Sequence, residues 1–303
     1  MHRRPGDPAV NALRLAFGTL TVLPVRPPTA VDRRTAGRAM VLAPLVGLAL
    51  GLLAVTLLWL LGGGTLLVLG PGVHYLGSVG DAPTRVSSLS TLVAGAVVVS
   101  VLAGATRGMH LDGLADTADG LGSGRDADRA LEVMRKGDVG PFGVVTLLVA
   151  LLLQVASVER LVQSPFGLAA LVAALVLSRL VLPALCSAGV PPARPEGLGA
   201  MVAGTVGRGS LAAAVGVAAV LLVAVAAAAH AAGPWLTQGV TGLDVPSLFA
   251  GARVHAAAVV LVPLLVTGVF ARHCVRRIGG ITGDVLGACV EVCFTTALLV
   301  AAI

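Results

Sequence analysis

Read for polarity alone, the chain is a series of long apolar stretches separated by short polar ones. Seven stretches approach or exceed roughly 18 residues, enough for an apolar helix to cross the hydrocarbon of a bilayer. They fall at about 39–61, 89–106, 139–157, 166–189, 210–233, 254–271 and 283–302. A shorter apolar stretch at 9–23, interrupted by Asn11 and Arg14, predicts a helix lying at a membrane surface. The run Leu23-Pro24-Val25-Arg26-Pro27-Pro28 cannot continue it. The connector at 62–88 is Gly-rich and that at 107–138 is polar. The pattern predicts an all-α fold: one polytopic integral membrane helix bundle over 1–303, with about seven transmembrane helices.

Charge orients this bundle. With the N-terminus in the cytoplasm, 17 basic residues fall on the cytoplasmic side, among them seven in the N-terminal segment 1–38 and five in 107–138. Only Arg85, Arg160 and Arg253 fall on the other, and Arg179 lies inside the fourth span. Such an excess follows the positive-inside rule. It predicts a multi-pass protein of the inner (plasma) membrane, with 62–88 outside and 107–138 a cytoplasmic helical segment.

Composition agrees: 56% of residues are hydrophobic and 12% charged, against about 25% charged in soluble domains. The net charge of +6 then reflects orientation in a bilayer, and nucleic acid is excluded as a partner. Cys186, Cys274, Cys289 and Cys293 form no C-x-x-C pair and read as small buried apolar residues.

The exception to this apolar economy is His110-Leu111-Asp112-Gly113-Leu114-Ala115-Asp116-Thr117-Ala118-Asp119-Gly120. Asp112, Asp116 and Asp119 stand at i, i+4 and i+7, on one face of a helix. Close carboxylates raise one another's pKa unless a cation sits between them. A hard divalent ion such as Mg²⁺ takes such oxygens, usually together with substrate phosphates. The trio is therefore the expected metal site. His110 is a candidate ligand, general base or phosphate contact.

Four further residues could share that chemistry. Arg129 follows the aspartates closely in a segment whose Ser123 and Asp126 suggest a helix start, with Leu131 and Met134 facing inward. Arg179 is expensive in a span and needs an anionic partner, so both arginines are candidate phosphate clamps. The Gly-rich turn at 137–143 could present backbone amides to an anion. Asp284 and Glu291 stand at i and i+7 on one face of the last span, beside Gly279-Gly280, Arg276 and Arg277. Two acidic faces with arginines suggest metal-bridged diphosphate held in an intramembrane cavity. Cobamide-assembling, CDP-alcohol and polyprenyl transferases all answer to that description, and a transporter with an acidic ion path is the non-enzymatic alternative. A transporter would spread its acids through the membrane depth, whereas these cluster towards one side.

The chain resembles the adenosylcobinamide-GDP ribazoletransferase (cobalamin 5′-phosphate synthase) family over nearly its whole length. The resemblance begins at Leu23-Pro24-Val25 and Pro44-Leu45-Val46-Gly47 and peaks at His110 through Gly120. It continues through Arg129 to Met134, Val139-Gly140-Pro141-Phe142-Gly143, Ser178-Arg179 and Glu196-Gly197-Leu198-Gly199. It closes at Gly279-Gly280, Thr282-Gly283-Asp284 and Leu286-Gly287-Ala288. The D-x-x-D-G-x-x-A-R block of the CDP-alcohol enzymes is missing. One departure stands at Arg135-Lys136-Gly137-Asp138. There the family pattern has a basic residue and then Asp-Ser-Arg, so acid and base are exchanged between Lys136 and Asp138.

The resemblance implies the last step of nucleotide-loop assembly in cobalamin biosynthesis. α-Ribazole, or its 5′-phosphate, joins adenosylcobinamide-GDP, and GMP leaves with its oxygens neutralised by Mg²⁺. On this reading Asp112, Asp116 and Asp119 bind the metal, and one of them or His110 accepts the hydroxyl proton. Asp284 and Glu291 complete a second metal or position ribazole, while Arg129 and Arg179 hold phosphates. A homo-oligomer is left open.

Overall fold

The computed structural model describes residues 7–61, 88–164, 166–236 and 245–303, of which side chains 88–90 and 229–254 are not discussed. Most of the connector at 62–88 lies outside the described residues. Twelve helices are formed within them: α1 (Pro8–Leu20), α2 (Arg33–Val41), α3 (Ala43–Leu61), α4 (Ser88–Ala105), α5 (Met109–Gly122), α6 (Ala127–Arg135), α7 (Pro141–Val162), α8 (Gly167–Leu185), α9 (Leu198–Val202), α10 (Arg208–Leu236), α11 (Val245–Ile278) and α12 (Gly283–Ala302).

Helices α3, α7, α8, α10, α11 and α12 are each long and apolar enough to cross a membrane. Helix α4 passes the same test only together with α5, from which it is bent by 88°. The six long helices match six of the seven expected spans, the bent pair α4–α5 stands at the seventh, and the protein is a multi-pass membrane helix bundle. Two short helices were not expected. Pro44 has no amide to extend a helix past Leu42, so the stretch from 39 to 61 divides into α2 and α3. Helix α9 has only five residues.

Helices α8 and α12 form the centre. Within their membrane-crossing lengths 67% and 61% of residues are buried, against 11% in α10. Small residues let neighbours close on them, as expected where helices cannot be driven together by water. A Cβ on Gly51 of α3 would lie 3.0 Å from Val172 Cα of α8, and one on Gly47 would overlap the Leu175 carbonyl. All four cysteines are free and buried, as the sequence predicts.

The connections at one end of the bundle are built of arginines bonded to carbonyls. Arg107 donates to the carbonyls of Gly18 and of Thr21 (2.6 Å), at the end of α1. Arg33 does the same for Ala200 and Ala203 (2.6 Å) around α9. Residues Pro192 and Ile281 form a parallel bridge that ties the loop after α8 to the α11–α12 turn. The sharp turn from α4 into α5 falls at Arg107 and Gly108, with φ of 57° and 65°. Left-handed backbone is ordinary for glycine and unusual for arginine. The two carbonyls that Arg107 binds hold it there.

Candidate active site

Helix α5 lies across this end, wedged between the first turns of α7 and α12. Its contact with α12 runs through glycine on both sides. A Cβ on Gly113 would stand 3.0 Å from Asp284 Cα, and one on Gly287 would stand 3.2 Å from His110 Cα. This crossing brings Asp284 to the aspartate helix, 165 residues after Asp119 in the chain. Thr282 caps α12 by accepting the Val285 N–H (3.2 Å) and donates its own hydroxyl to Asp284 Oδ2 (3.1 Å).

The three aspartates of α5 differ in setting. Asp112 is exposed, whereas Asp116 and Asp119 are buried. Burial raises the Asp116 carboxyl to a pKa of about 6, with further upward pushes from Asp112, Asp284 and Asp119. Arg194 acts in the opposite sense. Asp119 is committed differently: its Oδ2 accepts the Gly140 N–H (2.7 Å) and its Oδ1 the Gly143 N–H (2.9 Å). Among the described residues no three Asp, Glu, His or Cys side chains converge closely enough to make a complete metal site. The donors at Asp112, Asp116 and Asp284 are nevertheless hard oxygens, and their mutual repulsion is what a divalent ion relieves.

His110 does not stand with the carboxylates. It is 3% exposed, and neither ring nitrogen has a hydrogen-bond partner. Burial, helped by the charge of Arg179, pushes its pKa down to about 3, which keeps the ring neutral. Arg179 faces inward as well. Its Nη1 donates to Ser178 Oγ at 2.7 Å, and its Nε has no partner. Arg179, Glu291 and Gln154 line one small cavity of about 20 Å³, room for a single water. Gln154 donates to Glu291 Oε2 (2.8 Å) and to Thr295 Oγ1 (2.9 Å). Glu291 thus belongs to an interior polar cluster, and Asp284 to the site on α5.

Arg129 stands exposed on the first turn of α6, whose N-cap is Asp126, accepting the Arg129 N–H at 3.0 Å. Ser123 instead closes α5, donating to the Gly120 carbonyl at 2.7 Å. Ala130 and Met134 of α6 are buried, with Met134 against Gly120. The arginine that the fold does set beside Asp116 and Asp284 is Arg194. It is half-buried, and its Nη2 donates to the Leu131 carbonyl at 2.6 Å. In sequence Arg194 counts only as one charge in a Pro/Gly loop. The sole signal is that it is the one basic residue between α8 and α10's first residue.

Comparison with known proteins agrees with this layout. The family described as Cobalamin-5-phosphate synthase (CobS) matches residues 12–302. A Frankia casuarinae protein named adenosylcobinamide-GDP ribazoletransferase is 42% identical over 95% of this chain and 93% of its own. Proteins of the same name from a Nocardioides species and Corynebacterium efficiens are 40% and 34% identical. These cover 95% and 93% of this chain and 97% and 88% of their own. No solved structure matches. With the match spanning both the α5 motif and the α12 residues packed on it, the chain belongs to the Cobalamin-5-phosphate synthase family.

Proposed function

We propose that this protein is the membrane transferase that joins adenosylcobinamide-GDP to α-ribazole, or to its 5′-phosphate, and releases GMP. The observation that carries the reading is the packing of α5 on α12, which brings Asp284 within electrostatic reach of Asp112, Asp116 and Arg194, in a chain related to ribazoletransferases over almost its full length. A ribose hydroxyl of the ribazole, one that the 5′-phosphate leaves free, attacks the phosphorus that bears the corrinoid side arm. A P–O bond to that phosphorus forms, the bond to GMP breaks, and the hydroxyl proton passes to a carboxylate. A carboxylate of this cluster that the metal leaves free is suited to accept it. His110, neutral and enclosed, is not.

Asp112, Asp116 and Asp284 would hold Mg²⁺, with substrate phosphates completing what the protein leaves open. The bound ion supplies neutralisation of the charge that develops on the diphosphate and on departing GMP. Arg194 steadies a phosphate from the opposite side, as a planar guanidinium does well. The excess of basic residues on the connectors at this end supports a cytoplasmic active site in the plasma membrane. The test is GMP release from adenosylcobinamide-GDP by membranes containing the protein. Release that depends on added α-ribazole is expected, and its absence would overturn the assignment.

A further inference from the structure

We infer that Asp119 is a positioning residue: it caps α7 from another helix and fixes α5 in place, and it is not the third metal ligand. The inference rests on the proposed metal reading for Asp116 but has its own geometry. Helix α7 starts at Gly140-Pro141, and a glycine N-cap has no side chain with which to satisfy the first amides. The Asp119 carboxylate takes over that task with one oxygen on each of two amides, Gly140 and Gly143. A carboxylate there also meets the positive end of the helix dipole. The anion suited to this helix start is therefore part of the protein, and the amides of the 140–143 turn are not free for substrate phosphate.

The surrounding packing is specific for the arrangement. A Cβ on Gly140 would stand 2.8 Å from Asp119 Cγ, and one on Gly143 would overlap Asp119 Oδ2 and lie 3.2 Å from Ala115 Cβ. A Cβ on Gly122 would stand 2.5 Å from Cγ of the Phe142 ring. The last turns of α5 and the first turn of α7 thus fit each other only because glycine occupies these positions. Asp116 lies three residues before Asp119, about 4.5 Å along the same helix. Releasing the cap lets that carboxylate drift from its place opposite Asp284. The spacing i, i+4, i+7 is then one face serving two tasks: chemistry at 112 and 116, registration at 119.

The test uses the full chain in detergent or nanodiscs. Mn²⁺ binding is read by loss of the free-ion electron paramagnetic resonance signal, beside steady-state GMP release. Asp116→Asn is expected to weaken Mn²⁺ binding about tenfold or more. Asp119→Ala and Gly143→Ala are expected to weaken Mn²⁺ binding less than Asp116→Asn does and to lower kcat about 10- to 100-fold, the range for a supporting residue. Asp119→Asn, which keeps an oxygen for one amide, is expected to retain more kcat than Asp119→Ala. Hydrogen exchange at Gly140 and Gly143 should quicken in Asp119→Ala. Loss of Mn²⁺ affinity in Asp119→Asn equal to that in Asp116→Asn would overturn the inference, as would a fully active Gly143→Ala. Wild-type protein that bound no Mn²⁺ would overturn the metal reading instead, and the exchange rates of the two amides would still decide the cap.

Discussion

Asp284 and Glu291 share one face of α12, yet they live in different environments. Seven residues of helix separate them by about 10 Å along its axis, and that distance moves an acid from the bundle's end to its interior. Asp284 lies within electrostatic reach of Asp112, Asp116 and Arg194, where like charges crowd. Glu291 meets Gln154 and Arg179 around a cavity with room for one water. The first arrangement gathers like charges, whereas the second surrounds a carboxylate with groups from the protein. A charge buried among partners is a structural commitment, and a charge left among its like is an invitation to a ligand. That contrast separates the residues of chemistry from those of scaffold more sharply than acidity alone.

The contrast is most exposed to test at Asp116. Asp116→Asn should cut ribazole-dependent GMP release by about 100-fold or more, since a single stabilising group at a transition state is worth that much. Its thermal unfolding in detergent should change little, because the substitution removes one of several repelling charges. Near-normal turnover with saturating Mg²⁺ would place the chemistry elsewhere. The interior cluster predicts the opposite profile. Glu291→Ala takes away the carboxylate that accepts from Gln154 and lies on the cavity of the buried Arg179, and losing such a buried acceptor costs about 1–3 kcal/mol in comparable cases. Glu291→Ala should therefore lower the unfolding temperature strongly, and the double substitution Glu291→Gln with Arg179→Gln should recover most of the loss. If Glu291→Gln alone abolished turnover with stability intact, Glu291 would belong with the chemistry after all.

How far the sequence reveals this follows from what each signal measures. Hydropathy over a long window reports contact with lipid, so the six long apolar helices, and α4 as part of a bent pair, can be read from it. Helical spacing reports a shared face, so the union of Asp112 with Asp116 is legible. Spacing says nothing of depth, and for that reason Asp284 and Glu291 read as one site when they are two. Nor does it report what lies opposite. Asp119 looks like its two neighbours until α7's amides are placed against it. Arg179 is marked by its cost in a span, and the fold bonds it to Ser178 and sets it with Glu291 and Gln154 around one small cavity. The bend at Arg107 and Gly108 is hidden because nothing in the residue identities demands a left-handed arginine. Arg194 is hidden because its neighbours come from α5, α6 and α12, and only the folded chain assembles them.

Arg194 also gives the finest test of the comparison, since it is the arginine that acts on both Asp116 and Asp284. It holds the Asp116 carboxyl below the value that burial and repulsion would otherwise set. A proton and a divalent ion compete for that carboxylate, so Mn²⁺ affinity of the wild-type protein should fall as pH is lowered through about 6. Removing the guanidinium in Arg194→Ala strips an opposing charge, which raises the Asp116 pKa further and moves the midpoint of that loss to higher pH. The same substitution frees the Leu131 carbonyl and should lower kcat/KM for adenosylcobinamide-GDP by about tenfold, the worth of one charge-assisted hydrogen bond. Arg194→Lys keeps the charge without the fork, so it should restore the pH midpoint more fully than kcat/KM. A midpoint that did not move in Arg194→Ala would mean that this arginine does not act on the acidic cluster, and that Asp112, Asp116 and Asp284 share their charge with the ion alone.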